Sequence, residues 1–112
     1  MIVTVFRSRL MPSLQDEYVA LVEHMREIAV TMPGYISHKG FWAEDGERVT
    51  IVEFESEETQ RAWRMHPEHI KAQRLGREKY YAAYDIQVCD VLHDAHFERK
   101  DDAVSRAQRA AE

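Results

Sequence analysis

Residues 61–81 read RAWRMHPEHIKAQRLGREKYY, and this stretch decides how the second half of the chain folds. It holds Trp63, one of 2 tryptophans, and two of the 6 histidines, His66 and His69. Pro67 interrupts the helical pattern and suits the first position of a new helix, where its missing N–H costs nothing. The stretch therefore predicts a short helix, a kink, and a second helix that ends near residue 79. Such a junction sets polar side chains beside a large indole, which predicts one wall of a pocket.

Upstream of this stretch, the chain begins with a predicted strand and a predicted helix. Residues 2–10 are rich in β-branched side chains and alternate towards their end, which is typical of a strand. Ser13 and Asp16 are spaced as a capping box, which predicts the start of a helix. Residues 32–35, with proline and glycine, end it. Its apolar positions recur at intervals of three and four residues: Tyr18, Leu21, Val22, Met25, Ile28, Ala29 and Met32.

Three more strands and the helix pair complete the pattern. Residues 35–43 and 48–55 predict two strands, and the Asp-Gly pair at positions 45 and 46 predicts the hairpin turn between them. Ser56, followed by two glutamates, predicts the N-cap of the helix that leads into Trp63. A fourth strand is predicted around residues 84–92.

The resulting order, βαββαβ, predicts an α+β, ferredoxin-like domain: an antiparallel four-stranded sheet with the helices on one face. The strands carry more apolar surface than one helix layer covers, and exposed apolar sheet faces usually find a partner. We therefore expect a homodimer that packs sheet to sheet about a two-fold axis. The side chains behind this expectation are Ile2, Phe6, Phe41, Val52 and Phe54.

Composition excludes several classes of protein. A chain of 112 residues favours a single domain. Its formal net charge of −5 and its lack of a basic stripe argue against nucleic acid as a partner. No apolar run approaches the roughly 18–20 residues of a membrane span, and the N-terminus does not resemble a signal peptide. The single cysteine, Cys89, predicts no disulfide and a small buried side chain, so we expect a cytoplasmic protein.

Several short motifs, taken in order, resemble the antibiotic biosynthesis monooxygenase family, whose members are small dimeric α/β barrels. They are the Met-Pro-Gly-Tyr turn at 32–35, the strand end at 52–56, Trp63 with the segment 66–69, and the last strand at 84–91. The resemblance covers residues 1–97, which we take as the domain. Residues 98–112 form a charged C-terminal extension, for which a helix docked on a partner subunit and a frayed tail remain alternatives.

The resemblance implies a cofactor-independent monooxygenase that oxidises a small aromatic phenol or quinol with O2, with no metal. The alternative is a non-catalytic, dimeric small-molecule-binding or stress-related module of the same fold. A haem-degrading enzyme is a distant third hypothesis, because the positions that hold the family's iron-ligating histidine and strand asparagine are Gln73 and Arg7 here.

Candidate site residues follow from the same motifs. The resemblance implies that Trp63 lines the pocket, whereas packing alone would make it a core residue. We expect His66, His69 and His38 to handle protons, since a neutral imidazole can take a phenol proton near neutral pH; structural or surface roles are the alternative. Substrate contacts are predicted for Trp63, Arg7, Tyr35, Phe41 and Tyr81, and an ion pair with an acid such as Glu53 is the alternative for Arg7. The three-residue spacing of His66 and His69 lacks the further ligands that a metal needs.

Overall fold

The order of strands and helices is the one that the sequence predicts. The computed structural model describes residues 1–100, and within them the α+β ferredoxin-like fold is confirmed. In chain order the elements are β1 (Ile2–Leu10), α1 (Gln15–Ala29), β2 (Tyr35–Trp42), β3 (Arg48–Phe54), α2 (Glu57–Arg64), α3 (Pro67–Leu75), one turn of π-helix (Gly76–Tyr80) and β4 (Tyr81–Asp90).

The four strands form one antiparallel sheet in the order β2-β3-β1-β4. Strand β1 lies in the centre, where Thr4 is opposite Val52 of β3 and Val88 of β4. Residues opposite each other in an antiparallel pair point to the same face of the sheet. This register therefore places the even-numbered residues of β1 and β3 on one face, which the helices cover.

The hydrophobic core lies between that face and the helices. Met25 and Ala29 of α1 pack against Val52 and Phe54 of β3, and Trp63 of α2 joins the same cluster. Ala29 and Phe54 are fully buried. Burial of a side chain as large as that of Met25, Val52 or Phe54 stabilises the fold by roughly 1.5–3 kcal/mol. The core thus anchors α1 and α2 to the sheet.

The face of the sheet turned away from the helices, which we call the outer face, carries different apolar residues from those predicted. Of the predicted set, only Phe41 lies there, opposite Val49. The other four are even-numbered residues of β1 and β3, and strand alternation places these side chains on the helix side of the sheet. The outer face instead has half-buried side chains from β1 and β3, and these are Val3, Val5, Val49 and Ile51.

The predicted start of α1 is wrong. Leu14, not Ser13, is the N-cap residue, and no side chain there accepts a hydrogen bond from the helix. Ser13 has φ of 70°, in the left-handed region. An N-cap residue needs an extended φ to turn its hydroxyl towards the free N–H groups, so Ser13 serves the turn instead of the cap.

The helix that leads to Trp63 begins as predicted. The Ser56 hydroxyl accepts a hydrogen bond from the Thr59 N–H at 3.1 Å, and the Thr59 hydroxyl accepts one from the Ser56 N–H, also at 3.1 Å. Thr59 also explains why residue 34, in the turn before β2, is a glycine. Gly34 has φ of 78°, and a Cβ there would lie 2.6 Å from the Thr59 hydroxyl oxygen. Only glycine both adopts this positive φ readily and has no Cβ that would overlap Thr59.

The kink at His66-Pro67 is confirmed. The His66 imidazole Nδ1 accepts a hydrogen bond from the Glu68 N–H at 3.1 Å and so caps α3, with Pro67 at its first turn. Helical structure continues past α3 through the π-helix to Tyr80, close to the predicted end. At the start of that wider turn, a Cβ on Gly76 would overlap the Tyr81 ring. The glycine therefore lets Tyr81 lie against the helix.

The segment after β4 has no regular secondary structure over residues 91–100. His93 and His96 lie in this segment. Cys89 is exposed on β4, not buried as predicted, because β4 is an edge strand. Most of the predicted extension, residues 101–112, lies outside the described residues. None of the helices within residues 1–100 has the length and apolar character that a bilayer crossing requires.

Candidate functional site

A cavity of about 320 Å³ lies between the helices and the sheet face that they cover. Side chains from every strand and helix named above contribute to its lining. Its wall is predominantly apolar and aromatic with a few polar groups, as is usual for sites that bind small organic molecules. The lining residues that bear on its chemistry are Tyr18, His38, Gln60, Trp63, Arg64, His69, Gln73, Arg77, Tyr81 and Tyr84.

Trp63 and His69 form a stacked pair on the helix side of the cavity. Their ring centroids lie 4.2 Å apart and the ring planes are inclined by 16°. Trp63 is also part of the core and is only 3% exposed. The kink between α2 and α3 produces this arrangement, because it folds the first turn of α3 back over the last turn of α2.

The hydrogen bond of His69 fixes its tautomer. Its Nδ1 lies 3.1 Å from the carbonyl oxygen of Trp63. A carbonyl oxygen only accepts, so Nδ1 carries the proton and Nε2 has a free lone pair. Burial lowers the pKa of His69 to about 4, so the imidazole is neutral at pH 7. The cavity wall thus holds a neutral ring nitrogen that can accept a proton.

A second imidazole, that of His38, lines the cavity from the sheet side. His38 lies on β2 opposite Val52 and is 9% exposed. Burial lowers the pKa of His38 as well, so this ring also favours the neutral form. The two imidazoles add hydrogen-bonding groups to the cavity without adding charge.

A pair of tyrosines forms another polar part of the wall. The hydroxyl oxygens of Tyr18 on α1 and Tyr81 on β4 lie 3.0 Å apart. Burial raises the pKa of both, so both hydroxyls stay protonated at neutral pH. Arg48 lies beside this pair: its guanidinium carbon is 5.9 Å from the centre of the Tyr18 ring and 4.8 Å from that of Trp42.

Two of the predicted site residues lie outside the cavity and have other partners. His66 caps α3 through its imidazole. Arg7 lies on the outer face of the sheet, where its guanidinium donates to both carboxylate oxygens of Glu47 at 3.2 Å each. The expected ion pair of Arg7 is therefore present, with Glu47 in place of Glu53.

Two predicted aromatic contacts also lie away from the cavity. Tyr35 packs edge-to-face against Phe54, with ring centroids 6.0 Å apart. Phe41 is 45% exposed on the outer face, where the Lys39 ammonium lies 5.6 Å from its ring centre. Of the eight predicted site residues, the cavity brings together four: Trp63, His69, His38 and Tyr81.

No group of three or more His, Cys, Asp or Glu side chains is arranged to hold a metal ion within residues 1–100. Gln73 lines the cavity. It is at the position where, by the sequence resemblance, haem-degrading enzymes have their iron-ligating histidine. Its side-chain amide nitrogen donates to the carbonyl oxygen of Arg64 at 3.1 Å. This side chain thus ties α3 to α2.

Several residues of the wall are not among those predicted from the sequence. Gln60 lies three residues before Trp63 and four before Arg64, so helical spacing was a sufficient signal for both. Tyr18 had no such signal, and neither did Arg48, which does not line the cavity but lies beside the Tyr18 ring. They come from different elements and meet only because the sheet and α1 pack together.

A sequence model of the family described as antibiotic biosynthesis monooxygenase matches residues 1–75 of the chain. The protein YqjZ of Bacillus subtilis (strain 168) is 30% identical over 74 residues, which are 66% of this chain. The chain spans 65% of the length of that relative.

Solved structures share the fold at lower identity. Rv0793 from Mycobacterium tuberculosis has a TM-score of 0.76 and 19% identity, covering 85% of this chain and 98% of that one. A conserved protein from Methanosarcina mazei Go1 has a TM-score of 0.72 and 14% identity, covering 79% and 89%. SnoaB from Streptomyces nogalater, described as a cofactor-independent oxygenase, has a TM-score of 0.72 and 13% identity, covering 83% and 94%.

Proposed function

The chain belongs to the antibiotic biosynthesis monooxygenase family, and from that premise we propose that it oxidises a small phenol or quinol with O2, without a bound cofactor. The observation that carries the proposal is the cavity in which a neutral imidazole stacks on an indole. Its volume of about 320 Å³ suits a small ring system. The shared fold of SnoaB, described as a cofactor-independent oxygenase, supports the same choice.

In the proposed reaction, Nε2 of His69 accepts the phenol proton and leaves an electron-rich phenolate. The ring gives electrons to O2, and a bond forms between one oxygen atom and a ring carbon that carries hydrogen. Water leaves the resulting hydroperoxide, so a phenol and O2 become a quinone and H2O. The phenolic proton and the ring hydrogen leave in that water, and O2 is the only oxidant that the step needs.

The low pKa of His69, about 4, restricts which substrates can react. A weak base removes a proton only from an acidic phenol or from one whose anion is stabilised nearby. Trp63 stacks on the His69 imidazole and so holds it in place at the cavity wall, and the apolar wall keeps water from the reacting oxygen. His38 is a second group that can hydrogen-bond a substrate oxygen from the sheet side.

The test is oxygen uptake with a panel of quinols and anthrones. Wild-type protein should consume one O2 per quinone formed, and His69→Gln should lower kcat by about 10²–10⁴-fold, the usual loss when a general base is removed. Trp63→Phe should also reduce uptake, since a smaller ring stacks over less of the His69 imidazole and holds it less firmly. The matched control is His24→Gln, because His24 is exposed on α1 and outside the cavity.

Oxygen uptake that never exceeds the blank with any substrate would contradict the oxygenase and favour the alternative, a small-molecule-binding module. Full activity of His69→Gln would instead refute the role of His69 alone.

We also propose that two copies pack their outer faces together. Val5 and Ile51 are paired across the centre of that face and are only half-buried within one chain. Sedimentation equilibrium should give twice the 13.2 kDa of one chain. Ile51→Glu should shift the mass towards the monomer, and Glu55→Gln, at an exposed position beyond β3, should not. A wild-type mass of one chain would contradict the homodimer.

A further inference from the structure

We propose that the hydroxyl pair of Tyr18 and Tyr81, backed by the buried guanidinium of Arg48, binds an anionic oxygen of the ligand. The cavity would then take acidic phenols as phenolates in preference to neutral aromatics. This inference rests on the proposed function, whose substrate it narrows, and it depends on contacts that the proposed reaction does not use.

Arg48 is a buried charge without a counter-ion in the described part of the chain. It is 8% exposed, and no carboxylate among residues 1–100 lies within ion-pair distance of it. Its Nε and the hydroxyl of Ser8, which is 2% exposed, are buried without a hydrogen-bond partner in the same residues. A guanidinium is always charged, and a buried charge is costly unless it is paired. An anion in the neighbouring cavity would supply the missing charge.

The tyrosine pair connects that charge to the cavity. Both rings line the wall, and their two hydroxyls share one hydrogen bond of 3.0 Å. Each hydroxyl has one proton, so one O–H remains to donate to a ligand. Arg48 favours negative charge at both hydroxyls, and hydrogen bonds that end on an ionised oxygen are about twice as strong as neutral ones. An anionic oxygen is therefore a better acceptor here than a neutral one.

The charge of the cavity wall agrees with this assignment. Within the described residues, no Asp or Glu lines the cavity, whereas Arg64 and Arg77 do. The other ionisable side chains of the wall are His38, His69, Tyr18, Tyr81 and Tyr84. The chain as a whole has a formal net charge of −5. A cavity with only cationic charges in an acidic protein favours anions over neutral ligands.

Two glycines make room for the groups involved. A Cβ on Gly40 of β2 would overlap the Arg48 guanidinium, and a Cβ on Gly76 would overlap the Tyr81 ring. Both glycines have φ outside the left-handed region, so backbone conformation alone does not require them. Because the two glycines have no Cβ, the Arg48 guanidinium can pack against Gly40 and the Tyr81 ring against Gly76.

The test measures binding of 4-nitrophenol to the full-length protein, since its visible spectrum separates phenol from phenolate. Neutral 4-nitroanisole is the comparison ligand, and 4-nitrobenzoate shows whether a carboxylate is accepted as well. We expect phenolate to bind at least about tenfold more tightly than 4-nitroanisole, and the pKa of bound 4-nitrophenol to fall by about one pH unit or more, the usual effect of a nearby opposite charge.

Tyr81→Phe and Arg48→Met should abolish this preference, and Arg48→Lys should retain part of it because the charge remains. Tyr35→Phe and Arg61→Met are matched controls, since Tyr35 packs on Phe54 and Arg61 is exposed on α2. Equal binding of 4-nitrophenolate and 4-nitroanisole, or no binding of the phenolate, would overturn the inference. Preferential phenolate binding without oxygen uptake would uphold it while the proposed oxygenase activity fails.

Discussion

Replacing His69 with glutamine is expected to remove a pH dependence of folding stability from the protein. In the folded chain, burial lowers the pKa of His69 to about 4, whereas an unfolded histidine titrates near the ordinary value of 6.5. Between these pH values the unfolded chain binds more protons than the folded one. The stability that the neutral imidazole provides is therefore complete above pH 6.5 and is lost as the pH falls through 4.

The magnitude follows from the two pKa values. Each pKa unit corresponds to about 1.36 kcal/mol, so protonation of His69 should cost about 3 kcal/mol between pH 7 and pH 4. This loss is a large part of the roughly 5–15 kcal/mol that separates a folded domain from its unfolded state. Glutamine cannot titrate and keeps a polar side chain of similar length.

The assay is urea unfolding of wild type and His69→Gln at pH 7, 5.5 and 4, at one fixed protein concentration. The carboxylates titrate alike in both proteins and cancel in the difference. The stability advantage of wild type should shrink by about 3 kcal/mol from pH 7 to pH 4. His24→Gln, at an exposed site, should show a difference from wild type that does not change with pH. A constant difference for His69→Gln would refute the partly buried, neutral imidazole.

Three further substitutions test the packing and the turns, each by urea unfolding at pH 7. Phe54→Ala should destabilise the protein by about 3–5 kcal/mol, because it empties a fully buried site in the core. A smaller loss of stability than the same change causes at an exposed phenylalanine would contradict the burial of Phe54. Ser56→Ala should cost about 1 kcal/mol through loss of the cap on α2, and Ser56→Thr, which keeps the hydroxyl, should cost less. Gly34→Ala should cost more than Gly46→Ala, since both have positive φ but only Gly34 would also contact Thr59; equal losses would contradict that contact.

Local patterns predicted the fold because each one has a local cause. The spacing of apolar side chains fixed α1, the Asp-Gly turn fixed the β2–β3 hairpin, and Pro67 fixed the kink after Trp63. The start of α1 was mispredicted because Ser13 has the residue type of a cap but takes a left-handed φ in the turn. Backbone conformation in such a turn depends on how the flanking strand and helix pack, and one short motif does not predict that packing.

The site was harder to predict because its residues meet only through the tertiary fold. His38 and His69 lie on a strand and a helix that are distant in sequence, and Arg48 reaches Tyr18 across the sheet–helix interface. Alternation divides a strand into two faces but does not say which face the helices cover. The helix side of β1 and β3 carries polar residues such as Thr50, which line the cavity, so the hydrophobicity of these strands did not show that Arg7 lies on the other face.

A crystal structure of the protein with a bound hydroxyanthraquinone, a product of the proposed reaction class, tests the central claim most directly. We predict the ligand in the cavity between sheet and helices, beside Trp63 and His69, with one oxygen about 3 Å from a hydroxyl of the Tyr18–Tyr81 pair. A ligand bound only on the outer face of the sheet, with the cavity holding nothing but solvent, would contradict it.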